Sequence, residues 1–555
     1  MNPRRWLGYP QAAHVHAALA LLLIAWAAFQ CFGPVRSQGI AAATFDLMQR
    51  HRLWASAPDP RLLIVDVDER SLADLSAEFG RWPWSRDTLA TVLQHAQAEG
   101  AAAVVFDILF SDPDRLRPGG DRALDTAVRA GTLGFFEAVR LPARNDALSE
   151  LTLDRVPGLG IAPASAAASS PASVLTSATA TATVPSPVPA PAAPRIALIL
   201  PFMQAMLDAA RIGTNTVELD ADGKLRRFAW AEPLQGWRVV SIPLAVARAL
   251  GVPVETSGAP RLVVWREHAD AYPRVSFSRV LACAEQRTRA LGCVSLAGKI
   301  VVIGVTASSL HDIMSSPLGA NHPGVDILAT LIDNALHQRW YREIDAGWRF
   351  ALALAALAVA WRATRWRAAS ATQVALIVLP ICLVTLGYAS LHTEWLYLDL
   401  MLPAGVALSF LSLVKLHDTV RRHGFGLRAV PAAGRHALAT GSAARCAEQL
   451  ERQVFDLAGR HGLVVSGGVN TAGIWGDGDS CWVLWNLDAA DAAAFAVALR
   501  AAIPGAWALP FVVSSEPQHD LHRALGARLA IDATAETNSA SAAPATPQDK
   551  HHAPV

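Results

Sequence analysis

Charge is scarce in this chain. Only 17% of its 555 residues are Asp, Glu, Lys or Arg, against roughly a quarter in ordinary soluble domains. Hydrophobic residues make up 52% and the mean hydropathy is +0.28. That balance argues against a disordered or wholly soluble chain and for a membrane protein with folded parts outside the bilayer. The formal net charge of +1 supplies no global field for nucleic acid, and no nucleic-acid partner is expected. Six cysteines are too few for a disulfide scaffold. No pair is spaced C-x-x-C, and no His/Cys cluster has zinc spacing. A G-x-x-x-x-G-K-[ST] phosphate loop is missing, as is a kinase Gly-rich loop with its lysine and H-R-D. No cofactor is therefore expected.

Long apolar runs are present. Arg4 and Arg5 precede an apolar stretch from Ala17 to Phe29. A secretory signal has this layout, but no small-x-small cleavage site follows, because the chain reads Phe29-Gln30-Cys31-Phe32-Gly33. Residues 12–33 read as an uncleaved signal anchor. Phe350–Trp361 becomes span-length if Arg349 and Arg362 snorkel. Ala371–Leu391 is a full span containing Pro380, and Trp395–Val414 reads as another, with Asp399 near its first turn. An acid inside a span is a functional candidate, though one near the interface also reads as a solvated anchor.

Arginine placement sets the expected orientation. Arg362, Arg365 and Arg367 fill one loop; Lys415, Arg421, Arg422 and Arg428 follow the last span; His392-Thr393-Glu394 carries no Lys or Arg. Positive loops stay cytoplasmic. Both termini are then inside, residues 34–345 outside, and the location a bacterial inner membrane crossed several times. The competing reading makes 345–416 buried helices of a soluble protein.

Leu62–Val67 reads as a buried strand carrying Asp66 and ending just before Asp68. Leu89, Val92, Leu93 and Ala96 form a helical stripe stopped by Gly100, and Ala102–Phe106 is the next strand. Strand, helix, strand within about 45 residues is a βαβ unit with parallel strands. Lys299–Val305 is a later strand, and Asp326–Asn334 looks helical. Asn215–Glu218 and Leu225–Trp230 flank Asp220-Ala221-Asp222-Gly223, a hairpin signal, so a mixed sheet is expected. From Val156 to Pro194 no residue is charged. The stretch is mostly Ala, Pro, Ser and Thr and reads as a disordered or extended insertion.

In order, the chain carries Asp66-x-Asp68, Arg81-Trp82-Pro83-Trp84-x-Arg86, Gly100-Ala101 and Phe106-Asp107-Ile108-Leu109-Phe110. Later come Asp220-x-Asp222-Gly223-x-x-Arg226-Arg227, Gly298–Gly304, Asp312 and Pro323-Gly324-Val325. Set between an anchor and three closely spaced helices, these resemble the CHASE2 family, the extracytoplasmic sensory domain of bacterial receptors. The resemblance covers about residues 40–345; the Ala/Pro insertion departs from the usual compact domain. It implies an inner-membrane receptor that senses an unidentified signal. The family's usual outputs are cyclases, kinases or cyclic-dinucleotide enzymes.

Several residues are candidates for sensing. Asp66, Asp68 and Asp107 fall at carboxyl ends of strands, where open α/β sheets place their ligand crevice; Arg86 and Asp312 are expected near the same edge. One reading is a small polar ligand or a divalent cation held by these acids, so the metal, if any, is unknown. The other is that they cap helices and pair with Arg81, Arg86 and Arg227. Trp82 and Trp84 form either a ligand platform or anchors beneath a loop. Cys283 and Cys293, ten residues apart in an oxidising compartment, form either a disulfide or two buried thiols.

The C-terminal 139 residues (417–555) open on a basic Gly/Ala-rich linker, 417–440. Ala447, Leu450, Val454 and Leu457 make an amphipathic stripe. Gly462–Val465, Cys481–Leu487 and Ala508–Val513 look like strands and Ala492–Ile503 like a helix, giving a small α+β domain over 441–537 with a polar tail, 538–555. Gly467-Gly468 and Gly473-x-x-Gly476-Asp477-Gly478-Asp479 look phosphate-like, but no lysine is near and a hairpin turn fits equally. One reading has Asp477 and Asp479 bind a metal, as the paired aspartates of a nucleotide cyclase do, but a second motif with an arginine and an asparagine at plausible spacing is missing. His423, His436, His461, His519 and His522 are scattered.

The expected architecture is an N-terminal tip and anchor (1–39), an α/β mixed-sheet extracytoplasmic sensor (40–345, insertion 156–194), three further transmembrane helices (346–416), the linker and the small α+β domain. The expected function is a membrane-bound sensory protein. Its expected partners are the lipid bilayer, an unknown extracytoplasmic ligand, a cytoplasmic signalling protein and a second copy of itself. The alternatives are a diverged receptor nucleotide cyclase and an envelope assembly protein.

Overall fold

A computed structural model describes residues 12–33, 39–163, 192–256, 259–285, 292–310, 312–365, 369–423, 432–442, 453–454, 457–458, 461, 468–470, 480–503, 505–516 and 519–527. The fold is mixed α/β with several sheets, and it divides into two compact units. One comprises 38–344 together with 385–399; the other holds 1–37, 345–384 and 400–555.

The first unit is built on a seven-stranded sheet. Its order runs Arg274–Ser276, Leu62–Val67, Ile300–Val305, Ala103–Phe106, Gly134–Arg140, Leu198–Ile199, with Ile212–Thr214 also on the Gly134–Arg140 strand. Leu198–Ile199 pairs antiparallel and the others parallel, so the sheet is mixed. Leu62–Val67 and Ala103–Phe106 are parallel as expected, but Ile300–Val305 lies between them.

Parallel strands buried on both faces send alternate side chains to opposite cores. Leu62, Ile64, Ala103, Val105, Ile300 and Val302 pack with Trp230, Trp265 and the Gly324–His337 helix. Leu63, Val65, Val104, Phe106, Val301 and Ile303 face the Arg86–Ala98 and Pro118–Ala130 helices on the other side. The Leu89, Val92, Leu93 and Ala96 stripe is the buried face of Arg86–Ala98, and Gly100 follows with φ 76°.

Four sequence expectations need correction. The Asp220–Gly223 turn forms, but its flanks do not pair as a hairpin. Arg227–Phe228 instead joins Arg261–Val263 in a second sheet with Trp340–Glu343 and Leu396–Tyr397. The reason is that the second flank finds distant partners: Leu225 N–H donates to the Ser315 carbonyl and Val263 N–H to the Arg226 carbonyl. Second, residues 156–163 are folded. Val156 and Leu159 are buried beside Ile196, Ile212 and Val239, and Gly160–Ile161 pairs with Trp237–Val240. Residues 164–191 lie outside the described residues. Third, the last apolar helix is Met401–His423 and does not begin at Trp395. Leu396–Tyr397 is a strand and Asp399 precedes the helix. Fourth, the linker expected over 417–440 gives way to a strand, His436–Ser442.

Among the described residues three helical stretches, His14–Phe32, Ala346–Thr364 and Thr372–Leu391, are long and apolar enough to cross a membrane; Met401–His417 is a shorter apolar stretch. Ala20, Leu23 and Ala27 pack with Ala353, Ala356, Ala360, Val406 and Phe410. Small residues at these contacts let helix backbones come close. The C-terminal part carries a four-stranded antiparallel sheet ordered Gly468–Asn470, Ser480–Leu487, His436–Ser442, Ala506–Val512. The helix Ala489–Ala502 lies on one face through Phe495 and Leu499. Ala447, Leu450, Gly462–Val465, Gly467, Gly473–Asp479 and the tail lie outside the described residues.

Arg226 meets three carboxylates in the first unit. It is 2% exposed and donates to Asp46 (2.8 Å), Asp220 (2.8 Å) and Asp222 (2.6 Å), while Lys224 reaches Asp46 at 2.6 Å. Asp46 lies on the Gly39–Arg50 helix, so this network anchors the entry of the chain into the domain. Burial raises the Asp46 pKa, but Arg226 and Lys224 outweigh it and hold the group below its usual value. Truncating one partner of a buried pair strands the other charge, at a cost of about 3–5 kcal/mol. Arg226→Leu is expected to lower unfolding stability of the full chain in detergent by that order, and exposed Arg129→Leu by far less, as measured by denaturant titration.

Candidate functional site

The carboxyl ends of the parallel strands meet at one edge, and acids collect there. Asp66 is 2% exposed. Its carboxylate accepts from Thr306 Oγ1 at 2.7 and 2.8 Å and from Arg274 Nη1 at 3.4 Å. Arg274 also donates to Asp326 at 2.8 Å, so one guanidinium bridges two buried acids. Burial pushes Asp66 up, against the opposing pull of Thr306 and Arg274. Asp326 is driven to about 6 by burial, opposed by Arg274.

Asp68 has a structural task. It caps the Glu69–Phe79 helix through Ser71 N–H at 2.7 Å and accepts from Ser276 Oγ at 2.6 Å. Burial raises its pKa, but the Ser276 and Ser71 hydrogen bonds outweigh it and leave the group below its usual value. Such a cap is worth about 0.5–2 kcal/mol.

Asp107 follows the Ala103–Phe106 strand, and its Oδ1 accepts from Asn215 Nδ2 at 3.0 Å. Its buried Oδ2 has no hydrogen-bond partner. Burial, then the nearby Glu137 and Asp312, raise Asp107 well above the carboxylate range. Glu137, on the neighbouring Gly134–Arg140 strand, rises to about 7 through burial and Asp312. Burial also raises Asp312. Asp312 meets the start of the Gly324–His337 helix: its carbonyl accepts from Gly324 N–H at 3.0 Å, and a Cβ at Gly324 would lie 2.5 Å from its carboxylate. At Gly304 a Cβ would lie 2.6 Å from Val325 and 3.3 Å from Asp107. Glycine at both positions lets this helix start against the strand ends.

The structure thus brings Asp107 and Asp312 together and adds Glu137, while Asp66 and Asp68 belong to the Thr306, Arg274 and Ser276 network beside them. Arg86 pairs instead with Asp121 at 2.5 Å and lies over Phe110 and Phe202. The expected pairing of the edge acids with Arg81, Arg86 or Arg227 is replaced by Arg274; Arg227 is held by Glu343 and Asp220. Trp82 and Trp84 meet edge to face at 5.0 Å, and Trp84 is buried, stacks on Phe277 and donates to the Gly80 carbonyl at 3.2 Å. Cys283 and Cys293 are disulfide-bonded, with Cα atoms 5.9 Å apart. Among the described residues no three His, Cys, Asp or Glu side chains group closely enough to hold a metal ion.

Sequence reasoning missed Glu137, Arg274, Thr306 and Asp326. Glu137 had a signal: a lone acid within the apolar run Gly134-Phe135-Phe136-Glu137-Ala138-Val139. Arg274 had none, since a three-residue strand gives no periodicity.

An acid whose folded pKa exceeds its unfolded value favours folding when protonated. That stabilisation is complete below the unfolded pKa and is lost as pH rises toward the folded one. Glu137 therefore costs stability increasingly between about pH 4.5 and 7. Glu137→Gln is expected to raise Tm relative to the parent at pH 8 and to lose that advantage at pH 4. Thermal melts of the full chain across that range check it; an equal Tm difference at both ends would contradict it.

A family model described as the CHASE2 domain matches residues 17–362. No curated protein and no solved structure matches the chain.

Proposed function

The chain belongs to the CHASE2 family, a family of extracytoplasmic sensor domains in membrane receptors, and from that premise we propose a membrane-bound receptor that binds a small ligand at the carboxyl edge of its parallel sheet. The observation that carries the site is the trio Asp107, Glu137 and Asp312. Each is raised by burial, two of them also by neighbouring acids, and Asp107 keeps an unpartnered oxygen. Such groups favour a ligand bearing a cation or hydrogen-bond donors, which would relieve the mutual repulsion.

The apolar helices support the membrane part of the reading. With basic loops inside, the family domain faces the extracytoplasmic side and both termini face the cytoplasm. Binding that differs between two packings of the helices would relay the signal to a cytoplasmic partner. Among the described residues, three apolar helices of spanning length and a fourth shorter one support a multi-pass arrangement.

Two experiments test this. Export-dependent reporters fused after Gly258 and after Val555 are expected to be active and silent, respectively; the reverse pattern rejects the topology. A thermal-shift screen of the full chain with small cationic and polar compounds is expected to find one that raises Tm. Asp107→Asn is expected to abolish that shift, while Arg129→Leu keeps it. A shift that survives Asp107→Asn moves the site elsewhere.

A further inference from the structure

Three segments of the first unit adjoin the apolar helices, and their side chains converge at one place. These are Gly39–Ser56, which follows the first helix, Trp340–Glu343, which precedes the second, and 385–399, which joins the third to the fourth. Phe45, Tyr341 and Tyr397, one from each segment, form an aromatic cluster with centroids 5.1 to 6.5 Å apart. Arg342–Glu343 and Leu396–Tyr397 pair as parallel strands.

The polar half of this junction centres on Glu394. It accepts from Ser56 N–H at 2.9 Å, from the Ser56 hydroxyl at 2.5 Å and from Arg52 Nη2 at 3.3 Å. Arg52, whose side chain is 3% exposed, also donates to Tyr341 Oη at 2.7 Å and to the Trp265 carbonyl at 3.0 Å. Tyr341 Oη in turn donates to the Leu391 carbonyl at 2.9 Å, and Tyr388 Oη to the His51 carbonyl at 2.5 Å. Glu394 adopts φ 56°, a conformation that a non-glycine residue keeps only where its surroundings hold it there.

The loop between the third and fourth apolar helices is therefore built like a piece of the domain more than three hundred residues before it. We infer that Glu394 is a positioning residue that locks this loop to the base of the outer domain. The clasp is Arg52–Glu394–Ser56 with the aromatic cluster behind it. This goes beyond the sensor reading and does not depend on which ligand, if any, the domain binds.

Hydrogen–deuterium exchange of the full chain in lipid nanodiscs tests it without a ligand. In the parent, peptides from 385–399 and from 51–56 are expected to exchange slowly and at matching rates. Glu394→Gln is expected to accelerate both by about tenfold or more, because three hydrogen bonds to one charge weaken together. The sheet peptides 62–67 and 300–305 keep their rates. Arg52→Ala accelerates the same two segments, and the double variant adds nothing beyond the faster single one, as members of one network do. An unprotected loop in the parent overturns the inference. So does acceleration confined to one segment, acceleration that spreads to 62–67, or effects that multiply in the double variant.

Discussion

A parallel sheet covered on both faces leaves its polar chemistry nowhere to go but its ends. Every strand of the central set, Arg274–Ser276, Leu62–Val67, Ile300–Val305, Ala103–Phe106 and Gly134–Arg140, runs the same way. Their side chains alternate between two apolar cores. Most of the carboxyls they carry or lead into sit at one edge: Asp66, Asp68, Asp107 and Glu137. The helix Gly324–His337 starts at that edge and brings Asp326, with Asp312 lodged against its first residue. Burial raises the proton affinity of Asp66, Asp107, Glu137, Asp312 and Asp326, whereas the Ser276 and Ser71 hydrogen bonds hold Asp68 down.

Buried arginines do the complementary work. Arg226, Arg266 and Arg140 are each nearly inaccessible and each meets carboxylates: Asp46, Asp220 and Asp222; Asp333; and Asp146, respectively. A buried guanidinium with matched acids specifies geometry more than it adds stability, because desolvation cancels much of the attraction. Here two of the networks tie distant segments together, Asp46 to Arg226 and Asp333 to Arg266, across long spans of sequence. The Asp220-x-Asp222-Gly223-x-x-Arg226 run is thus a closed ionic turn, and its acids are already committed. The same principle, with Arg52 and Glu394, fastens the loop between the last two apolar helices.

Much of the fold is legible in the order of residues alone. Leu62–Val67 and the stripe on Arg86–Ala98 follow directly from apolar spacing, and the apolar helices from run length. Asp66 and Asp107 stand out because each lies at the carboxyl end of a strand, whereas Asp312 stands out only through the order of motifs. The misreadings share a cause. The Asp220–Gly223 hairpin, the start of the last helix at Trp395 and the linker over 436–440 all rest on local pattern, and in each a distant strand partner decides otherwise.

What the sequence by itself determined is the set of properties carried by neighbours along the chain: which segments are apolar enough to be buried, which alternate as strands, where turns fall and which family the order of motifs resembles. Only the tertiary structure decided the strand order, which inserts Ile300–Val305 between two strands adjacent in sequence. It alone paired Arg274 with Asp66 and Asp326, set Glu137 beside Asp107 and joined Glu394 to Ser56. The reason is physical. Hydrophobic periodicity is a local signal, whereas an ion pair or a carboxyl cluster depends on distances in space between residues hundreds of positions apart, and no pattern along the chain encodes those distances.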